Sequence, residues 1–332
     1  MNELHHPNIY VNSIFSSTKY YKVSPKDDLR TLVIIRIGAA LTLVALVSII
    51  IHILHPLPSA SNICAPSSIA VGGSTALFPL MSTMIESYRK TCPDATISIN
   101  QNVASSKAGL RTLAAGDIQI GNSDLVSSNL NLIDYPIAAV IYVMIANRQI
   151  AQVEDLSIAQ IQNIYKGSFS NWSAVGGNNE PIIVVNRTST SGTRAIFEKY
   201  LLAETTAFYQ GKIEHYSEED TSELVAHKVA STPGAIGYVN LRDALSTPNL
   251  KIVTINGVQA KADNVKKNTY TFWATEHIYT HKNPSDLTSS FIQHITSNST
   301  RQIISNLGYI PLHDIPPATT NQHPGPIAPD GL

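Results

Sequence analysis

The sequence predicts an α/β protein built on parallel-type sheets with flanking helices, and three observations carry that expectation. From Ile69 onward, short apolar runs alternate with stretches of helical periodicity, the order expected of βαβ units. Several of those runs end in a turn rich in hydroxyls and glycine that opens the next helix, as in Val71-Gly72-Gly73-Ser74-Thr75. The chain has 332 residues, of which 43% are hydrophobic and 14% charged, enough for one or two packed domains plus extensions.

Taken in order, residues 1–30 are polar and show little periodicity, so they are expected to form a mobile cytoplasmic tail. Residues 31–55 follow as a transmembrane signal anchor, because Ile37 to Leu54 contain no Lys, Arg, Asp or Glu and suffice to span a bilayer. Lys19, Lys22, Lys26, Arg30 and Arg36 precede the span, whereas residues 55–68 hold no Lys or Arg; the positive-inside bias therefore places everything after residue 55 outside the cytoplasm. The long basic lead favours a retained anchor over a cleaved signal peptide, with cleavage near Ser59-Ala60-Ser61 as the alternative. Residues 56–67, with Pro56 and Pro58, read as a linker. A helix from Leu77 to Arg89 carries an apolar stripe at Leu77, Leu80, Met81, Met84, Ile85 and Tyr88, which is core spacing. Further elements are a helix over Ile158 to Tyr165, a strand over Ile182 to Val185, a helix after Gly192 and another from about Thr221 to Ala230. Residues 313–332 contain Pro316, Pro317, Pro324, Pro326 and Pro329 and are expected to form a disordered tail.

The stretch Arg187-Thr188-Ser189-Thr190-Ser191-Gly192-Thr193-Arg194 carries the most chemistry. A strand that ends there and opens a helix presents free backbone N–H groups and the positive end of the helix dipole beside an arginine, which is a cradle for an oxyanion. Read alone, it serves equally well as an N-cap. Gly72-Gly73-Ser74-Thr75 and Ala104-Ser105-Ser106-Lys107-Ala108-Gly109 repeat the design, and three such ends point to one shared anion site. A fourth strand, Ile118-Gln119-Ile120-Gly121-Asn122-Ser123-Asp124, ends on a carboxylate. A carboxylate repels an anion unless that anion has a proton to donate; hydrogen phosphate has one and sulfate at neutral pH does not. The alternative for Asp124 is a plain cap of the following turn.

These motifs are joined by Ile164-Tyr165-Lys166-Gly167, Asn171-Trp172, Thr232-Pro233-Gly234-Ala235-Ile236-Gly237-Tyr238 and Leu307-Gly308-Tyr309-Ile310-Pro311. From about Ile69 to Leu312 the chain thereby resembles the substrate-binding proteins of bacterial phosphate ABC transporters, the PstS type. The resemblance implies a two-lobed periplasmic-binding-protein fold of type II with a two-strand hinge. Lobe I would comprise residues 68–140 plus 236–312 and lobe II residues 141–235, the chain crossing along Ile137 to Ala146 and returning along Gly234 to Val239. It implies that inorganic phosphate is held dry by Ser74, Thr75, Ser106 and Asp124 on the first lobe and by Arg187, Ser191, Gly192 and Thr193 on the second. No cofactor or metal is implied. The whole would be a monomer, anchored in the cell membrane with its binding module on the extracytoplasmic side, that hands phosphate to ABC permease subunits.

Two positions need comment. The family usually has a Gly-Ser-Gly turn where this chain has Ser105-Ser106-Lys107, and Lys107 is expected to point to solvent rather than add a second cation to the site. The only cysteines, Cys64 and Cys92, fall just before the first and second strands at one edge of the sheet; outside the cytoplasm this favours a disulfide over two free thiols. Lipid attachment at Cys64 fits poorly, because Ile63 stands where a small residue is wanted.

Several classes are disfavoured. A formal net charge of -1 and the lack of a basic stripe argue against nucleic acid. Other oxyanions, such as sulfate, molybdate or tungstate, conflict with Asp124. A phosphatase or a hydrolase using Ser191 would need a base in reach and finds no Gly-x-Ser-x-Gly elbow, so no enzyme activity is expected. His277 and His281 lie four apart among the 11 histidines and read as a chance pair. Uptake and a sensing or scavenging role stay open as uses of the same binding.

Overall fold

The computed structural model describes Cys64, residues 67–203 and residues 213–328. The expected cytoplasmic tail and membrane anchor, and most of the linker, lie outside the described residues; among those described, no helix is long and apolar enough to cross a membrane.

The chain opens with β1 (Ser68–Gly73), α1 (Phe78–Thr91), β2 (Thr96–Ile99), α2 (Ser106–Ala115) and β3 (Ile120–Ser123). In this part strand and helix alternate, and β1 lies between β2 and β3, parallel to both. The stripe Leu80, Met81, Met84, Ile85 and Tyr88 of α1 is buried as its spacing requires, while Leu77 belongs to a short 3-10 turn, Thr75–Leu77, ahead of the helix. The 16-residue β4 (Leu132–Asn147) follows. Next come β5 (Asp155–Leu156), α3 (Ile158–Tyr165), β6 (Ile183–Arg187), α4 (Gly192–Tyr200), β7 (Tyr216–Glu219), α5 (Ser222–Ser231), β8 (Ala235–Asn240), α6 (Leu241–Ser246) and β9 (Leu250–Ile255). The chain closes with α7 (Ala262–Lys266), β10 (Trp273–His281), α8 (Asp286–Ile295), α9 (Arg301–Asn306), β11 (Ile310–Pro311) and α10 (Pro317–Asn321).

The sheet is mixed rather than parallel. Its order is β2-β1-β3-β10-β4-β8-β6-β7, with β11 and β9 also on β4 and β5 on β9. Strand–helix alternation shows only that helices connect neighbours such as β1 and β2; it cannot show that β10, from far along the chain, inserts antiparallel between β3 and β4. β4 runs through both halves of the sheet, pairing with β10 up to Ile141 and with β8 and β9 from Tyr142 onward.

The strand pairing puts the return between halves later than the resemblance implies. β8 holds the expected run Ala235 to Val239, but it pairs with β6 and with the far half of β4, and β9 stays in that same half. The chain re-enters the first half only at β10. An apolar run marks a buried strand without saying which neighbours bury it.

The Pro-rich C-terminal stretch is also folded, against expectation, as far as residue 328. It forms α10 and then runs beside Val126 in an isolated parallel bridge, where Val126 N–H donates to Pro326 O (3.0 Å) and Ala328 N–H to Val126 O (2.8 Å). The ring of His323 is stacked between Trp273 and Tyr200 at centroid distances of 4.1 and 3.7 Å. Burial drives the His323 imidazole down to about 4, so the ring is neutral at pH 7 and its Nε2–H donates to Trp273 O at 2.7 Å. Proline removes donors but not acceptors, and an extended segment with one buried aromatic can dock by its carbonyls.

Cys64 and Cys92 form a disulfide with Cα atoms 5.0 Å apart, tying the lead into β1 to the end of α1. By loop closure over a separation of 28 residues it stabilises the fold by about 3–4 kcal/mol.

Candidate functional site

Four strands at the candidate site, β1, β2, β6 and β7, lead to helices or helical turns whose first N–H groups are capped by a hydroxyl. Ser74 Oγ accepts from Ala76 N–H (3.3 Å), Ser105 Oγ from Ala108 N–H (3.3 Å), Ser191 Oγ from Arg194 N–H (3.2 Å) and Thr221 Oγ1 from Leu224 N–H (3.1 Å). The cap and cradle readings are compatible, because a hydroxyl that accepts from the helix keeps its own hydrogen to donate elsewhere.

Side chains from both halves of the sheet meet here. Thr193, at the start of α4, donates its Oγ1–H to Asp124 Oδ2 at 2.9 Å, and Asp124 N–H donates to Ser106 Oγ at 3.1 Å. Gly192 packs against the same pair so closely that a Cβ there would lie 2.2 Å from Ser106 Oγ and 2.8 Å from the Cβ atoms of Ser106 and Asp124. On the other side Arg187 Nη1 donates to Ser222 Oγ (3.1 Å) and Nη2 to Asp220 O (2.7 Å), while Thr75 Oγ1 accepts from Ser222 N–H (3.3 Å). Ser74, Thr75, Ser106, Asp124, Arg187, Ser191 and Thr193 are all buried, and Gly192 with them.

Of the two arginines flanking the hydroxyl stretch, only one is short of negative partners. Arg194 is neutralised by Glu198 and Glu218 at 2.8 and 2.9 Å. Arg187 makes no ion pair among the described residues, and its Nε has no acceptor there. Burial pulls its guanidinium down from the ordinary value, with Tyr238 and Asp124 opposing. A buried cation without a carboxylate costs several kcal/mol in desolvation, which an arriving anion would offset. Hydroxyls, helix N–H groups and the guanidinium are donors; Asp124 is the one carboxylate among the eight residues predicted from sequence.

Three contributors escaped the sequence reading. Ser222 links Arg187 to Thr75, and its signal was present in Asp220-Thr221-Ser222, another hydroxyl pair opening a helix. Glu276 and Tyr142 lie near Asp124, and the only hint was a glutamate inside a strand, Trp273 to Tyr279, of aromatic and β-branched character. His277 and His281 are turned to Asp134 and to Leu113 O, and no group of metal-binding side chains is found among the described residues.

Lys107 departs from expectation. Its backbone N–H reaches Thr190 O (3.3 Å), and its side chain folds across so that Nζ donates to Ser189 O at 2.8 Å, clasping the opposite half. Lys107→Met should therefore speed ligand dissociation about three- to tenfold with little change in association, as read by stopped-flow fluorescence, because one cross-cleft hydrogen bond is worth about 0.5–1.5 kcal/mol.

The fold and site place the chain in a known class. The PBP superfamily domain matches residues 60–299, so the chain has the periplasmic-binding-protein-like α/β fold with a curled mixed sheet. Within that class it belongs to the PstS-type phosphate-binding proteins. It is 33% identical over 260 residues to the phosphate-binding protein PstS of Bacillus subtilis, covering 76% of this chain and 83% of that one. A crystal structure from Clostridium perfringens, described as a phosphate ABC transporter substrate-binding protein with bound phosphate, is 26% identical with a TM-score of 0.65, covering 74% of this chain and 99% of that one. An ABC-type phosphate transport receptor from Vibrio cholerae, 24% identical with a TM-score of 0.59 over 73% of this chain and 99% of its own, shares the fold.

Proposed function

We propose that this protein captures inorganic phosphate in a cleft between two lobes and delivers it to an ABC transporter, without transforming it. The observation that carries the reading is the pairing of Arg187, a buried cation without an ion pair among the described residues, with the carboxylate Asp124 in a pocket of donors. That combination suits an anion that is negative and yet keeps a proton. Ser74, Thr75, Ser106 and Ser191 supply hydroxyl donors, Gly192 its backbone N–H and Arg187 the charge, while Thr193 holds Asp124 by its hydroxyl and Asp124 accepts the proton of the anion.

The two lobes are the two halves of the sheet, hinged along β4 and along the segment between β9 and β10. Ligand contacts on both halves hold the cleft shut, and the closed form is what a permease engages. One chain supplies the whole site, so a monomer suffices. The apolar span from Ile37 to Leu54, led by basic residues, anchors the protein with the binding module outside the cytoplasm.

Isothermal titration of the full chain near neutral pH tests the reading. Phosphate and arsenate, which both carry a proton, should bind tightly and with one-to-one stoichiometry, and sulfate weakly. Failure to bind phosphate, or turnover of an aryl phosphate, would refute it.

A further inference from the structure

Near Asp124 stands a second carboxyl group. Glu276 is fully buried on β10, whose pairing with β3 sets His277 opposite Ser123 and so brings Glu276 level with Asp124. The register of β10 against β4 shifts between Glu276 and His277, opposite Pro136 and Ala138, with Ile137 as the extra residue. Proline has no N–H to give the ladder, so the bulge falls where it costs least. There the chain turns His277 to Asp134 on one side and Glu276 to the site on the other.

The hydrogen bonding around the two carboxyls is incomplete in a specific way. Tyr142 donates its hydroxyl to Glu276 Oε1 at 2.9 Å, and Thr193 donates to Asp124 Oδ2 at 2.9 Å. The two remaining oxygens, Glu276 Oε2 and Asp124 Oδ1, are both buried, and neither has a donor among the described residues. Two carboxylates side by side would repel, whereas one proton between them forms a strong hydrogen bond. Resting on phosphate as the ligand, we propose that Glu276 is a positioning residue that keeps a proton at neutral pH and donates it from Oε2 to Asp124 Oδ1, aiming Asp124 at the proton of the bound anion.

The surroundings agree. Burial first, and then the charge of Asp124 and the contact with it, raise the Glu276 carboxyl well above the usual carboxylate range, with the Tyr142 hydroxyl opposing. Tyr309 also lies near, but its hydroxyl is given to Ala76 O. Arg187 feels the charge of Asp124 and makes no ion pair with Glu276. On α2, Lys107 is turned to Ser189 and Arg111 is exposed. No cation faces Glu276 closely enough to form an ion pair among the described residues. A carboxyl raised above the usual range gives up its proton at a higher pH than an exposed glutamate does. Once it is lost, a second negative charge confronts the dianion and affinity falls.

The experiment is titration calorimetry with inorganic phosphate from pH 6 to 10, in buffers of different ionisation enthalpy, on the full-length wild type, Glu276→Gln and Glu276→Leu. Glutamine copies the protonated acid, its amide donating to Asp124 and its carbonyl accepting from Tyr142. Glu276→Leu should weaken binding about tenfold or more by leaving Asp124 Oδ1 without a donor, and Glu276→Gln should rescue it. At alkaline pH the wild type should lose affinity relative to Glu276→Gln and take up more protons per phosphate bound than that variant does. If Glu276→Leu fails to fold, the proton count of wild type against Glu276→Gln decides. Equal weakening by both variants, identical proton uptake and pH profiles, or Glu276→Gln binding more tightly at every pH would each overturn the assignment. A wild type that binds no phosphate at all would instead refute the function on which it rests.

Discussion

Gly192→Ala should cut phosphate affinity about 30- to 100-fold while leaving the melting temperature of the ligand-free protein nearly unchanged. The added methyl would lie 2.8 Å from the Cβ atoms of both Ser106 and Asp124, and neither can swing away as the tip of a long side chain would. The nearer clash, at 2.2 Å from Ser106 Oγ, could be eased by rotation, but that hydroxyl accepts from Asp124 N–H and rotation would sacrifice the bond. All of these neighbours sit on the opposite half of the sheet. The strain therefore falls on the closed form alone, where overpacking costs about 1–3 kcal/mol, whereas an open cleft leaves the methyl in water. Calorimetry with phosphate gives the affinity and thermal melts without it give the control. An unchanged affinity would mean that closure does not bring α4 onto α2 and β3 as tightly as seen here.

What sequence could and could not reveal follows from how far each signal reaches along the chain. The strand–turn–helix units at Gly73, Ser106 and Ser191 were legible because cap, turn and helix are local, and a hydroxyl followed by helical periodicity is visible within ten residues or so. Of the eight residues that the resemblance implied, Ser106, Asp124, Gly192 and Thr193 touch one another, and Ser222 joins Thr75 to Arg187. Ser222 used the same local signature and was overlooked only because no family motif pointed to it. Glu276 was of another kind. Its meaning depends on β10 inserting beside β3 from more than a hundred residues away, and no periodicity encodes that pairing. The resemblance puts the return crossing at Gly234 to Val239, whereas the strand there pairs with β6 and the far half of β4, partners that topology sets. The C-terminal stretch failed differently: composition described its prolines correctly, yet the docking is carried by carbonyls and by the ring of His323 between Trp273 and Tyr200, which composition does not register. Lys107 illustrates the limit of reading by family, because a lysine in place of glycine acquires a contact to Ser189 that relatives with glycine cannot make.

Asp124→Asn should convert a phosphate-selective protein into one that also accepts sulfate. In the wild type, sulfate offers only acceptors, and its oxygen would face the carboxylate of Asp124 with no proton between them. An acceptor-against-acceptor contact inside a buried site is worth several kcal/mol of discrimination, because neither group can turn to water. Asparagine removes both the charge and the mismatch. Its amide oxygen can still accept from Thr193 Oγ1, and its Nδ2 can donate to Glu276 Oε2 once that oxygen carries no proton, so the fold should hold. Sulfate affinity should then rise by about two orders of magnitude or more, with phosphate changing less than about tenfold as the lost proton acceptor and the lost repulsion partly cancel. The selectivity ratio, measured by competition calorimetry at neutral pH, is the quantity to follow. A wild type that binds sulfate as well as phosphate, or an Asp124→Asn protein that still rejects sulfate, would show that selectivity lies elsewhere. The coupling to Glu276 supplies an internal control: in Asp124→Asn the second carboxyl no longer confronts a carboxylate, so the alkaline loss of phosphate affinity should move to lower pH, where an uncrowded acid ionises more readily.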